Sequence, residues 1–405
     1  MRENCSFKTI GEISSFNRGL TYSGNDEVSS SNNVVLRSNN IDIATNTINF
    51  DELKYISDEL IIPEDKKLKA NTIFMCMSNG SMQHLGKVAF IEKDYPYAFG
   101  GFMGLIIPNS MIVQPKYLYF YFCSPSFKRF LISIGNGANI NNIKYSDIAK
   151  NVIAIPSLDV QKTIISELDL INNMILIKKS QLNNLDLLTQ SIFHEMFGDP
   201  VENEKGWNVK KLNEISSIIC NGNTPKGGSE VYVKKGYLFL RSQNVWKNRL
   251  ELDDVAYIDE ETHSKLKKSV LMHNDLLITK TGRINTENSS LGRAALFEGE
   301  DRSANINGHI YLVRLKENMV HKFVLYILIS NSYRELIRKT CVGGIDKRQL
   351  NRNHIEDFPI IFPPLDMQKL YVKKIEKIEQ QKKQLNSTIS DLETLLASRM
   401  QYWFD

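Results

Sequence analysis

Hydrophobic positions along the chain follow two different rhythms. Over residues 1–155, and again over 200–362, apolar runs are short and are punctuated by Gly, Asn and Ser. Thr72–Met77, Leu105–Ile107, Leu276–Thr279 and Ile310–Val313 read as strands, and Pro115–Cys123 and Lys322–Ser330 as helices. Over 156–199 and 363–405 the rhythm changes. Past an opening proline, Pro and Gly vanish for a long stretch and apolar residues recur alternately four and three apart. The first series is Ile164, Leu168, Ile171, Ile175, Lys178, Leu182, Leu185, Thr189, Ile192 and Met196. A shift of 207 gives Tyr371, Ile375, Ile378, Lys382, Leu385, Ile389, Leu392, Leu396, Arg399 and Trp403. Eight of ten positions in each series are apolar, which is enough for a narrow coiled-coil seam.

Each series spans roughly 50 Å at about 1.5 Å per residue, longer than a domain of this size is wide. Such helices need a partner, and each is the nearest candidate for the other. Leu168, Ile171, Ile175, Leu182 and Leu185 are therefore expected to pair with Ile375, Ile378, Leu385, Ile389 and Leu392. Lys178, Lys382 and Arg399 interrupt the seam, where they set register or reach outward. Phe197-Gly198-Asp199-Pro200 ends the first helix.

The chain is also written twice. Glu12-Ile13-Ser14-Ser15 returns as Glu214-Ile215-Ser216-Ser217, and Leu36-Arg37-Ser38-Asn39-Asn40-Ile41 as Leu240-Arg241-Ser242-Gln243-Asn244-Val245. Leu85-Gly86-Lys87-Val88-Ala89-Phe90 returns as Leu291-Gly292-Arg293-Ala294-Ala295-Leu296. Pro156-Ser157-Leu158-Asp159-Val160-Gln161-Lys162 returns as Pro363-Pro364-Leu365-Asp366-Met367-Gln368-Lys369. The offset drifts from 202 to 207 while the order never changes, the mark of an internal repeat with loop insertions. The expected fold is α+β: two mixed α/β domains (1–155 and 200–362) in pseudo-two-fold repeat. Two long antiparallel coiled-coil helices (156–199 and 363–405) join them.

Composition narrows the function. A hydrophobic fraction of 42% and a charged fraction of 24% suit a soluble globular protein, and 405 residues suit more than one domain. No run approaches the length of a membrane span, and the N-terminus lacks the apolar core of a signal peptide. Five scattered cysteines without a CxxC pair suit reduced thiols in a cytoplasm and argue against a disulfide frame or a zinc site. The net charge of +4 divides unevenly, −2 over residues 1–199 and +6 over the rest. A nucleic-acid partner is compatible with this, more obviously for the second half.

Catalytic motifs do not emerge. The nearest approach to a phosphate loop, Gly80 to Val88, has one residue too many and Val in place of the hydroxyl, and reads as a turn before a strand. There is no nucleophile elbow, no HExxH helix and no NPP[FY] tetrapeptide, and the seven histidines show no ligand spacing. Both copies instead carry polar loops suited to bases and phosphates. The candidates in the first are Arg18, Tyr22, Arg37, Asn39, Asn40, Ser78, Asn79, Gln83, Asn139 and Asn141. In the second they are Lys226, Arg241, Gln243, Asn244, Lys280, Arg283, Asn307, Lys347 and Arg348. Arg and Lys can bridge guanine O6 and N7, and Asn and Gln can pair with adenine N6 and N7.

The twofold repeat, the Leu-Arg-Ser-Asn-Asn strands, the Pro-x-Leu-x-x-Gln heads of the long helices and Phe-Gly-Asp-Pro resemble specificity subunits of type I restriction-modification systems. The likeness runs over residues 10–405. It implies two target-recognition domains, each reading one half of a bipartite sequence in double-stranded DNA across an unread gap. It implies paired helices that act as a spacer and dock two methyltransferase subunits, which bind S-adenosylmethionine and methylate adenine. Motor-nuclease subunits using ATP and Mg would cleave unmodified DNA, so the chain itself is expected to hold no cofactor or metal and to catalyse nothing. Two other readings remain open at this point: the recognition module of a fused type II methyltransferase-endonuclease, and a coiled-coil scaffold without DNA specificity.

Overall fold

A computed structural model describes residues 5–81, 84–134, 142–284, 286, 289–344 and 347–405. The chain divides into two compact units. The first joins Met1–Leu182 to Gln384–Asp405, and the second is the continuous segment Asn183–Lys383.

In the first unit a four-stranded antiparallel sheet runs in the order Ser14–Arg18, Met103–Pro108, Thr72–Cys76, Val88–Ile91. Its central strand Thr72–Cys76 is buried at every position, because the sheet is covered on both faces. Alternation then sorts its side chains. Ile73 and Met75 point to a core with helix Pro115–Cys123, while Phe74 and Cys76 point to a second core. That second core is closed by a smaller mixed sheet in which Asn33–Leu36 runs parallel to Ala98–Phe99 and antiparallel to Lys54–Ile56.

The second unit repeats this plan. Its four-stranded sheet is ordered Ser216–Asn221, Ile310–Leu315, Leu276–Thr279, Ala294–Leu296, and all its pairs are antiparallel. Leu276 and Ile278 face one core with helix His321–Leu328, and Leu277 faces the other. The smaller sheet has Tyr237–Leu240 parallel to Ala304–Ile306 and antiparallel to Ala256–Ile258. The phosphate-loop look-alike is a turn: Gly86 and its counterpart Gly292 have φ of +75° and +68°, just ahead of Val88–Ile91 and Ala294–Leu296.

Two helices of 40 residues, Leu158–Phe197 and Leu365–Phe404, carry the heptad series. A glutamine fixes the start of each. Gln161 is fully buried and donates to the carbonyls of Pro156 (2.9 Å) and Ile112 (3.2 Å), and Gln368 donates to that of Pro363 (2.8 Å). Of the ten residues expected to pair, Leu168, Ile171, Ile175, Ile375, Ile378 and Ile389 are buried, and Leu182, Leu185, Leu385 and Leu392 half-buried.

Within the first unit the helices run antiparallel, since Glu167 meets Arg399 while Lys179 meets Glu393. The second unit shows the same sense, with Asp186 paired to Lys382 and Phe193 and Phe197 packed on Tyr371. Two of the charges that interrupt the seam thus have partners: Arg399 pairs with Glu167 and Lys382 with Asp186, while Lys178 donates to Gln181 at 3.2 Å.

Each unit borrows helix from the far end of the other series. Met400, with Leu396, Trp403 and Phe404 alongside, completes the core around Ile164 and Leu168 in the first unit. Phe193 and Phe197 complete the core around Phe323 and Tyr371 in the second.

Candidate nucleic-acid interface

Each unit contains the same Arg-Ser-x-Asn turn, built the same way. In the first, Ser38–Asn40 forms one 3-10 turn after the strand Asn33–Leu36, and in the second Ser242–Asn244 follows Tyr237–Leu240. The last asparagine of each turn is buried. Asn40 Oδ1 accepts from the backbone N–H of Arg37 (2.8 Å) while its Nδ2 donates to the carbonyls of Asn49 (3.3 Å) and Glu52 (3.0 Å). Asn244 does the same with Arg241 N–H (2.9 Å) and the carbonyls of Glu251 and Asp254 (both 2.9 Å). The sequence had put Asn40 and Asn244 among the base contacts. In the structure both amides are spent on the protein and shape the turn, since a buried amide must find its partners internally.

The residue before each of these points the other way. Asn39 is exposed and donates its amide N–H to Glu52 Oε2 at 3.1 Å; Gln243 is exposed and donates to Asp254 Oδ2 at 2.9 Å. The Gln243 amide and the Arg241 guanidinium hold the Asp254 carboxyl below the usual carboxylate range. Arg241 also donates to the Asp254 carbonyl at 2.6 Å.

In the first unit the turn opens onto a cleft of about 760 Å³. Six candidates, Arg18, Tyr22, Arg37, Asn39, Ser78 and Asn79, line it together, although they come from three separate stretches of sequence. Glu27, Glu52, Gly100, Gly101 and Phe102 also stand in its wall, and Phe102 is 73% exposed. Beside the cleft, the chain at Gly19 passes close against the backbone at Gly100. A Cβ on Gly19 would lie 2.0 Å from the Gly100 carbonyl oxygen, and one on Gly222 in the second unit 2.1 Å from that of Ile306. Only glycine allows this approach.

In the second unit the candidates form two neighbouring groups. Arg241 and Gln243 sit on the turn. Lys280 and Arg283 flank the short strand Thr281–Gly282, which pairs with Lys347–Gln349 and so brings in Lys347 and Arg348. The segment Asn307–His309 links the groups, for Asn307 donates its N–H to Leu240 and His309 accepts from that of Lys280. Asn307 is half-buried, with its Oδ1 accepting from His309 N–H at 3.0 Å, and Lys226 is exposed on a separate loop. Gln83, Asn139 and Asn141 lie outside the described residues. Arg37, Arg241 and Arg348 share one further trait: the Nε of each is shielded from solvent and has no hydrogen-bond partner among the described residues.

The sequence profile of the type I restriction modification DNA specificity domain matches residues 2–187 and, a second time, residues 204–393. The chain belongs to the type I restriction-modification specificity family. In this specificity-family chain each matched segment has an Arg-Ser-x-Asn sequence folded as a 3-10 turn, 37–40 in the first and 241–244 in the second, whereas Arg302-Ser303-Ala304-Asn305 runs into the strand Ala304–Ile306 instead. Its relatives include the StySPI specificity subunit of Salmonella potsdam, 23% identical over 357 residues that cover 84% of this chain and 75% of that one. The EcoKI specificity subunit of Escherichia coli K12 is 23% identical over 355 residues, with the same coverage of each chain. Among solved structures, the S subunit of the type I system of M. genitalium matches with a TM-score of 0.55 at 14% identity. That match covers 99% of this chain and 96% of the other, and it supports the fold.

Sequence reasoning missed Glu52, Asp254, Phe102 and the Gly100-Gly101 wall. The two acids stand 13 and 11 residues beyond the amides they hold. No local motif marks them, and the hairpin between amide and acid is two residues shorter in the second unit, so the repeat offset of 204 at the turns puts Ala256, not Asp254, opposite Glu52.

Proposed function

We propose that this chain selects the DNA sequence for a type I restriction-modification complex and leaves the chemistry to others. Each unit reads one half of a bipartite double-stranded target, with an unread gap between the halves. Two methyltransferase subunits, carrying S-adenosylmethionine, would methylate adenine where the chain directs them, and motor-nuclease subunits would use ATP and Mg to cut unmodified DNA. The complex would work in the cytoplasm; among the described residues no helix is long and apolar enough to cross a membrane.

The observation that carries this reading is the turn built twice. The buried asparagine and its hydrogen bonds are kept in both units, while exposed neighbours differ: Asn39 against Gln243, Phe102 against His309. A constant scaffold with changed outward side chains is what two readers of different half-sites need, because base contacts specify while the scaffold only positions.

The test is to express the chain with its methyltransferase subunit in a host lacking adenine methylation and to map modified adenines by single-molecule sequencing. One bipartite motif with a fixed gap is expected. A continuous motif, or methyl transfer by the purified chain alone, would overturn the proposal.

A further inference from the structure

The two units make one contact from opposite parts. Asn39 reaches Glu52 with a short amide and a long acid, whereas Gln243 reaches Asp254 with a long amide and a short acid. The positions correspond residue by residue, since the backbone carbonyls of the same two acids accept from Asn40 and Asn244. One methylene has moved from the acid to the amide and the contact has survived. A pair that only decorated the surface would not need its lengths to compensate.

The contact fixes how the amide faces. A carboxylate can only accept, so the amide nitrogen must turn toward it and the amide oxygen away. Both amides are exposed, and neither amide oxygen has a hydrogen-bond partner among the described residues. The second N–H is also open on Gln243, and on Asn39 it meets the Glu52 carbonyl only at 3.5 Å. Each unit thus presents a fixed acceptor beside a donor. Among the major-groove edges only adenine offers the complement, an N6 donor next to an N7 acceptor.

The geometry points to Asn39 and Gln243 as adenine readers, one in each unit, with Glu52 and Asp254 as the positioning residues that aim them. This rests on the proposed reading of DNA and adds the base that each unit recognises at this point.

The full chain, assembled with its methyltransferase subunits, is used to enrich duplexes from a random-sequence pool. The wild type is expected to select adenine at one such position in each half of the target. Asn39→Ala should lower that preference about tenfold or more in one half only, and Gln243→Ala in the other. Glu52→Asp should weaken the first-half adenine to a similar degree by shortening the acid. Adding Asn39→Gln to it restores the summed length and should restore the preference, which a purely structural role for Glu52 would not do at a single base. If both alanine variants keep every selected base, the adenine assignment falls while sequence reading stands. If Glu52→Asp and the double variant behave alike, the positioning role falls. If the wild type enriches no sequence, the proposed function falls with it.

Discussion

Tyr371 lies fully buried against Phe193, Phe197 and Tyr326, and its hydroxyl finds no hydrogen-bond partner among the described residues. Burial pushes the phenol well above its usual range, so it stays neutral and unsatisfied. Tyr326, a ring away, donates its hydroxyl to Glu379 at 2.7 Å, and Asn248 and Lys322 donate to the same carboxylate. The two tyrosines should therefore respond to the same substitution with opposite signs. Tyr371→Phe is expected to stabilise the chain by about 1 kcal/mol, raising the second unit's melting temperature by about 2–4 °C. Tyr326→Phe is expected to cost about 1.5–3 kcal/mol, because a charged acceptor loses its donor. Thermal unfolding of the two variants beside the wild type checks both. At this scale the sequence was partly legible. It marked the Arg-Ser-x-Asn turns, but adjacent Asn39 and Asn40 look alike in sequence and face opposite ways in the fold, one outward and one into the turn. What separates them is a set of carbonyls on the far side of a hairpin, which no local pattern encodes.

The long helices were the most legible elements, since a repeat of four and three can serve little but a seam. Their ends were less so. Phe193 and Phe197 sit beside the heptad positions and are nonetheless buried, as each end must cover the other helix and its own unit's core together. A two-partner helix has a wider apolar stripe than the seam alone reveals. At the other end Phe404 packs on Tyr117 (5.2 Å) and Tyr121 (5.9 Å), and Met400 is 8% exposed. Replacing Met400 and Phe404 together by alanine should destabilise the first unit by about 3 kcal/mol or more. Hydrogen exchange gives a local readout: amides of Thr72–Cys76 and Met103–Pro108 should lose protection, while Leu276–Thr279 and Ile310–Leu315 keep theirs. Equal loss in both sets would show that these side chains are not specific to the first unit's core.

At the scale of the molecule, the repeat announced two equivalent bodies, and the matched sheet orders agree with it. Exchanging residues 1–155 for the same region of a relative should change one half of the selected DNA sequence and leave the other half as it was, read from the methylation motif of the hybrid. A change in both halves would mean that the units read one shared site. The repeat could not show how the helix ends are shared out, because that depends on which core each end meets in space. This sharing has a consequence for how the protein is made. The second unit is a single stretch ending at Lys383, whereas the first waits for Gln384–Asp405. A chain leaving the ribosome thus holds everything its second unit needs while its first still lacks Met400, inverting the usual N-terminal-first order of domain folding. On the proposed reading of DNA, the half-site assigned to the first unit becomes readable last, and a nascent chain stalled before Gln384 would carry one finished unit and one still open.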